Sequence, residues 1–285
     1  MWSKLLDYFS LAKPRILMLV VVTALASAMV AGQGDIRLST IALLALAGGL
    51  ASAGAAFLNN YFDMDIDAVM ERTRHRPLPA GRLSPLGVLL VGLALVVASL
   101  AVALKMNYMA ALFVFTGALI YVVVYTVWLK SRTSLNIVFG GLSGSCAVLT
   151  GWFAGTSQLS PLPVIIALLL FLWTPGHFWS FALVHQESYQ KASIPMLPIL
   201  AGAEKTAIIV LVSTSFLLLA SLLLYFLGWF GQVYLIGSVI LGVLFLSSSI
   251  RLWMQPGKAR ALTNFRFSGI YLFGLFLAMA LDALI

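Results

Sequence analysis

Residues 38–67 read LSTIALLALAGGLASAGAAFLNNYFDMDID, an apolar run that ends in two asparagines and three aspartates. The run is long enough to cross a bilayer as a helix, which takes about 20 apolar residues. A strand is excluded, because the pattern is continuously apolar rather than alternating and an open sheet leaves its backbone unsatisfied in lipid. The acidic end is costly there, since ionisable groups at a membrane are paired, metal-bound or turned to a wet cavity. Asn59, Asp63 and Asp67 are spaced i, i+4, i+8. That spacing puts them on one face of a helix, where their oxygens converge on a hard cation such as Mg²⁺, while Asp65 points elsewhere. The plainer alternative is a solvated helix end whose acids pair with Arg72, Arg74 and Arg76.

Working outward from this run, further spans can be read near 16–33, 86–104, 109–128, 136–154, 162–184, 207–228, 230–251 and 267–285, making nine with 38–62. The division at the 228–230 turn, marked by Gly228, is the least distinct. The expected architecture is all-α: a polytopic membrane bundle of nine transmembrane helices in a single domain, 1–285. Composition agrees, with 62% hydrophobic and only 9% charged residues and a mean hydropathy of +1.05, whereas soluble domains are about 25% charged. Ala26-Ser27-Ala28 imitates a signal-peptide cleavage site, but the basic leader is long and eight spans follow. The single Cys146 lies in an apolar run and reads as a small core residue.

A net charge of +8 invites a nucleic-acid reading, yet the cations sit in short loops between spans. With nine spans, one side receives Lys4, Lys13, Arg15, Arg72, Arg74, Arg76, Arg82, Lys130, Arg132, Lys191, Lys205, Arg251, Lys258, Arg260 and Arg266, and the other only Arg37 and Lys105. This asymmetry places the N-terminus in the cytoplasm and the C-terminus outside. It implies a lipid bilayer rather than nucleic acid as the surrounding partner, and a cytoplasmic N-terminus without a presequence makes a bacterial inner membrane the expected location.

The same side also holds the histidines and all but two of the acids, Asp35 and Asp282. Its loops, 68–85, 129–135 and 185–206, set carboxylates beside Arg and Lys donors. Such a mixture suits a Mg²⁺-bridged polyphosphate: the metal takes carboxylate and phosphate oxygens, and guanidinium forks take the remaining charge. The chain contains no P-loop, no HExxH and no nucleophilic Ser or Cys constellation. Gly140, Gly141 and Gly144 read as small residues that let helices approach closely. In WTPGHFWSFALVH, 173–185, Pro175-Gly176 should kink or open the helix. His177 and His185, two turns apart, fall near one face; each is either a hydrogen-bonded interior histidine or part of a site.

NxxxDxxxD at Asn59, Asp63 and Asp67, followed by ERTRHRPLPAGRLSP at 71–85, resembles the first signature of the UbiA superfamily of intramembrane prenyltransferases. Three later stretches resemble the branch of that superfamily that farnesylates haem: YTVWLKSRTSLNIVFGGLSGSCAVLTGW at 125–152, WTPGHFWSFAL at 173–183 and SYQKASIPMLPILAG at 188–202. The resemblance runs from about Lys13 to Gly202, and the last three spans match mainly in hydropathy and length.

What the resemblance implies is a nine-helix, Mg²⁺-using enzyme that joins the farnesyl group of farnesyl diphosphate to a vinyl group of haem B. Haem A synthase or oxidase assembly would lie downstream. Carried onto this chain, it makes Asn59, Asp63 and Asp67 the metal and diphosphate ligands and Asp63, Asp67 and His177 the candidate catalytic residues. Arg72, Arg76, Lys130, Arg132, Glu187, Tyr189 and Trp173 complete the candidate substrate contacts, and Tyr61, Phe62, Trp173 and Trp179 are candidate aromatic walls. His177 has three open roles: touching the macrocycle, ligating its iron or moving a proton. The chain departs from relatives at Ser188, where many have Asp, and at Gly176, where many have Pro. A second carboxylate-bound metal therefore requires Glu187 to take over. The competing functions are prenyl transfer to an aromatic acceptor such as a hydroxybenzoate or quinone precursor, and a transporter with no chemistry.

Overall fold

The computed structural model describes residues 2–285. The described residues are helical, with helices joined by short turns: α1 (Trp2–Leu11), α2 (Pro14–Ala31), α3 (Leu38–Phe62), α4 (Met64–Val69), α5 (Pro85–Leu104), α6 (Tyr108–Leu129), α7 (Asn136–Gly155), α8 (Pro161–Val184), α9 (Gln186–Lys191), α10 (Leu197–Phe226), α11 (Gln232–Met254) and α12 (Lys258–Asp282). Nine of them, α2, α3, α5 to α8 and α10 to α12, are long and apolar enough to cross a membrane.

Local sequence explains where the spans begin. Pro14, Pro85, Pro161 and Pro198 occupy first turns, where the missing N–H costs nothing. Ser84, Asn107 and Ser160 cap α5, α6 and α8 by accepting from the backbone N–H of Gly87, Ala110 and Leu162. Gly228, at φ +76°, turns the chain between α10 and α11 and thereby settles the least distinct boundary in the sequence.

The helices approach closely through small residues. A Cβ on Gly151 of α7 would lie 1.9 Å from the carbonyl oxygen of Ala24 in α2, and there Ser27 also donates to the Val148 carbonyl at 2.7 Å. Gly140, Gly141 and Gly144 do serve as contact points, against Tyr125, Thr174 and Leu170. The largest core cluster joins α7, α8, α10, α11 and α12 through Trp152, Trp173, Leu217, Phe245, Tyr271 and Phe276. Large apolar side chains such as Leu90, Val97, Phe115, Phe216 and Ile240 are exposed and form an apolar exterior suited to lipid.

The span 38–62 is met by α3, but the continuation of its acidic end and three other features differ from the sequence expectation. α3 stops at Phe62, and Asp63 (φ −90°, ψ 2°) is a joint from which α4 restarts, so the Asn-Asp-Asp series spans two helices rather than one. α10 begins at Leu197 instead of 207, with Gly202 at φ +80° bending it after its first turn. α12 begins at Lys258 instead of 267, because a span can extend past the hydrocarbon and carry Lys258, Arg260 and Arg266 in its first turns. The 185–206 segment is not a plain loop, since it holds α9 and the start of α10. α8 runs unbroken across Pro175, and Ser213 of α10 donates to the Leu172 carbonyl at 2.8 Å just before it.

The two ends of the bundle are distinct. Arg82 binds Asp7 at 3.1 Å, which ties α1 to the segment after α4 at the acidic end. At the other end Asp282 accepts from the N–H groups of Gly231 and Tyr234, beside the chain terminus.

Candidate active site

Asp63 is positioned by its joint. Its N–H donates to the Asn59 carbonyl at 2.9 Å, and its own carbonyl accepts from the Asp67 N–H at 2.7 Å. The helical spacing therefore survives the change of helix. Asn59, Asp63 and Asp67 are buried together at the end of the bundle, while Asp65 is exposed, as the spacing predicts.

Three cations from different parts of the chain converge on these side chains. Lys130, just past α6, donates to Asp63 Oδ2 at 2.5 Å. Arg76 Nη1 binds Asp67 Oδ2 at 2.6 Å. Lys13, between α1 and α2, donates to Asn59 Oδ1 at 2.5 Å and to the Tyr121 hydroxyl at 3.3 Å. Asn59 Nδ2 donates in turn to Asp63 Oδ2 at 2.8 Å and to Thr126 Oγ1 at 3.0 Å. The alternative of acids paired with arginines is met only at Arg76, and that pair is not a solvated one; Arg74 turns outward to His75.

The electrostatics follow from burial. Two buried carboxylates face Lys13, Lys130 and Arg76, so the cluster has a surplus of positive charge suited to an anion. Lys13 has its pKa lowered to about 8, first by burial and then by Arg76, with Asp63 and Asp67 opposing. It also adopts a left-handed backbone (φ 52°, ψ 62°), a strained state for a non-glycine residue immediately before a proline. Buried ion pairs contribute little net stability, because desolvation cancels most of the attraction. Such a network at a bundle end is better explained by what it binds.

The residues fit a Mg²⁺ ion. Asp63 Oδ1 is buried and has no hydrogen-bond partner. An unsatisfied carboxylate oxygen in this position is costly unless a ligand completes it. No group of three or more His, Cys, Asp and Glu side chains is gathered for a metal among the described residues. Mg²⁺ would thus be held by Asp63 and Asp67 with phosphate oxygens, the arrangement usual for a metal that enters with a polyphosphate. Glu187 does not join them: it is exposed, at the mouth of a cavity. Asn59 turns its amide oxygen to Lys13 and its amide nitrogen to Asp63, contacts that would orient Asp63 and anchor Lys13.

The other expected residues divide. Tyr189 is buried, and its hydroxyl is pushed up to about 12, first by burial, with Arg72 opposing. Arg72 lies 5.2 Å over the Phe181 ring. Arg132 is exposed, outside the ion-pair network. Trp173 and His177 are fixed against α12: Trp173 donates to the Ser268 carbonyl at 2.7 Å, and His177 Nδ1 lies 2.6 Å from the Ser268 hydroxyl. The His177 ring is sandwiched between Trp173 and Phe265. Phe62 is exposed, whereas Tyr61 is half-buried and Trp179 buried. Sequence reasoning missed Lys13, Tyr121 and Thr126. The available signals were a Lys-Pro pair entering the first span and the Tyr121/Tyr125 spacing, whose rings stack at 5.7 Å.

An all-helical membrane bundle with paired acids and convergent cations at one end defines the fold and site of an intramembrane prenyltransferase. The chain superposes on a solved digeranylgeranylglyceryl phosphate synthase with a TM-score of 0.81, covering 99% of each chain at 23% identity. It also superposes on a UbiA homologue from Archaeoglobus fulgidus bound to DMAPP and Mg²⁺, with a TM-score of 0.69, over 96% of this chain and 99% of that one at 16% identity. Residues 20–278 match the UbiA prenyltransferase family, and the chain belongs to it. Relatives named protoheme IX farnesyltransferase include that of Symbiobacterium thermophilum, 42% identical over 97% of this chain and 93% of its own length. That of Synechocystis sp. is 43% identical over 98% and 89%, respectively.

Proposed function

We propose that this chain transfers the farnesyl group of farnesyl diphosphate to a vinyl group of haem B, with addition of water, giving haem O and diphosphate. One observation carries the chemistry: the buried Asp63, Asp67 and Lys130 with the half-buried Arg76 and Lys13, and Asp63 Oδ1 unpartnered, at the end of an apolar bundle. The choice of haem follows from the full-length relatives.

Asp63 and Asp67 would hold Mg²⁺, which when bound neutralises the diphosphate charge that grows as the allylic bond breaks. Lys130, Arg76 and Lys13 are preorganised donors for the same charge. The carbon–oxygen bond breaks with its electron pair leaving on diphosphate. The terminal vinyl carbon forms the new carbon–carbon bond, and the cation left beside the macrocycle takes water and releases a proton. The apolar interior shields the allylic cation from premature capture by water. Aromatics beside the carboxylates, Tyr121 and Tyr125 among them, present ring faces able to stabilise positive charge. We place the site on the cytoplasmic side of a bacterial inner membrane and the product upstream of haem A synthase or oxidase assembly.

The test supplies haem B, farnesyl diphosphate and Mg²⁺ to the purified protein in lipid. The expected result is diphosphate release together with a hydroxyethylfarnesyl haem identified by mass. Farnesylation of a hydroxybenzoate with no activity on haem would overturn the acceptor.

A further inference from the structure

A cavity of about 580 Å³ opens at the acidic end between the turn after α4, the α8–α9 junction and the start of α12. Its size is that of a small-molecule site. The chemistry-bearing side chains around it are Glu71, Arg72, His185, Glu187 and Lys258. None of these belongs to the carboxylate cluster, yet Arg72 also acts on the buried Tyr189 beside that cluster. Thr73, next to Arg72, donates to the Asp67 carbonyl at 3.0 Å, and Met70 packs in one buried cluster with Tyr189, whose neighbours Ser188 and Gln190 line the cavity, so the cavity adjoins the carboxylate cluster.

His185 is the distinctive group. It ends α8, its ring is half-buried with Phe181 at 4.4 Å, and its ring nitrogens form no hydrogen bond among the described residues. Burial first, then Arg72 and Lys258, holds its pKa below the ordinary imidazole value, which keeps it neutral with a free lone pair at neutral pH. His177 contrasts with it, being sandwiched between aromatic rings with Nδ1 engaged by Ser268.

We propose that this cavity docks the haem acceptor, with His185 ligating the iron and Lys258 meeting a propionate at the mouth. The proposal rests on the farnesyl-to-haem reading and names the part of the site that the reading leaves open. On protohaem the two propionates and the vinyl groups lie on opposite edges. A propionate at the exposed Lys258 thus turns the vinyl edge inward, to Arg72 and the buried Tyr189. Imidazole is a common axial ligand of haem iron and fixes the macrocycle through its face, which leaves the reacting edge free.

The test titrates ferric haem B into the protein in lipid nanodiscs without prenyl diphosphate, following the Soret band. The wild type is expected to give the spectrum of histidine-ligated haem. His185→Ala should lose that spectrum and weaken binding by at least the roughly tenfold that losing even an outer-shell partner costs a metal site. In His185→Gly, added imidazole should restore the band. Lys258→Gln should leave the band in place and weaken haem binding roughly two- to fivefold, the range of an exposed ion pair, without affecting haem dimethyl ester. Mg²⁺-dependent binding of a farnesyl thiodiphosphate, retained in each variant, shows that the fold is intact. A wild-type Soret band and affinity in His185→Ala, or loss of the band in His177→Ala instead, overturns the proposal. A wild type that farnesylates hydroxybenzoate and binds no haem fails at the acceptor reading itself, an outcome distinct from either.

Discussion

Asp63 meets more of the site than any neighbouring acid: one oxygen receives Lys130 and Asn59, and the other is unpartnered. Removing it takes away both a proposed metal ligand and the counter-charge of a buried lysine. Asp63→Ala is expected to lower turnover by a factor on the order of 10³ at saturating Mg²⁺, the scale of losing a preorganised electrostatic contact. Asp65→Ala, at an exposed position two residues on, should retain most activity. Steady-state diphosphate release on the two variants decides it, and the assignment fails if Asp65 proves the more sensitive. Asn59, Asp63 and Asp67 are legible from their spacing alone, because i, i+4 geometry is local. Lys13 is not legible in that way, since its contact with Asn59 crosses 46 positions and depends on how α2 packs on α3. Nor is the part played by Glu187, whose place is decided by the path of α9.

At the scale of elements, the last ten residues of α6, Ile120–Leu129, are wound as a π-helix, and the Lys130 N–H donates to the Tyr125 carbonyl five residues back. The Thr126 hydroxyl also donates to a carbonyl five residues back, that of Tyr121, and accepts from Asn59. The wide turn therefore aims Tyr121, Thr126 and Lys130 into the site together. Nothing in IYVVVYTVWL announces it, because an apolar run is equally compatible with an α-helix. Deleting the exposed Val123 should relax the stretch towards α geometry and change the direction and height at which Lys130 leaves the helix. Activity should fall at least as far as in Asp63→Ala, while the protein remains monodisperse in detergent and Val123→Leu stays active. An active deletion variant would show that the π winding is incidental. The Asp63 joint is a similar case: the acidic run reads as one helix, and only the turn to α4 shows two.

For the whole molecule, the acidic end carries the Lys- and Arg-rich segments and the opposite end carries the C-terminus, so an odd number of spans separates the termini. The positive-inside rule then predicts Met1 in the cytoplasm and Ile285 outside. Reporter fusions or cysteine labelling at the two ends should give opposite accessibility, and finding both on one side would refute the orientation. By itself the sequence determined the all-helical class, the number of spans and the spacing that brings Asn59, Asp63 and Asp67 together. Hydrophobic length, charge bias and helical spacing are properties of consecutive residues and do not depend on packing. Tertiary structure alone decided which cations reach those acids, that Trp173 and His177 pack against α12, and that His185 rather than His177 faces an open cavity. Those outcomes depend on helices far apart in sequence approaching through residues such as Gly151 and Gly141. No local pattern encodes which buried surfaces will meet.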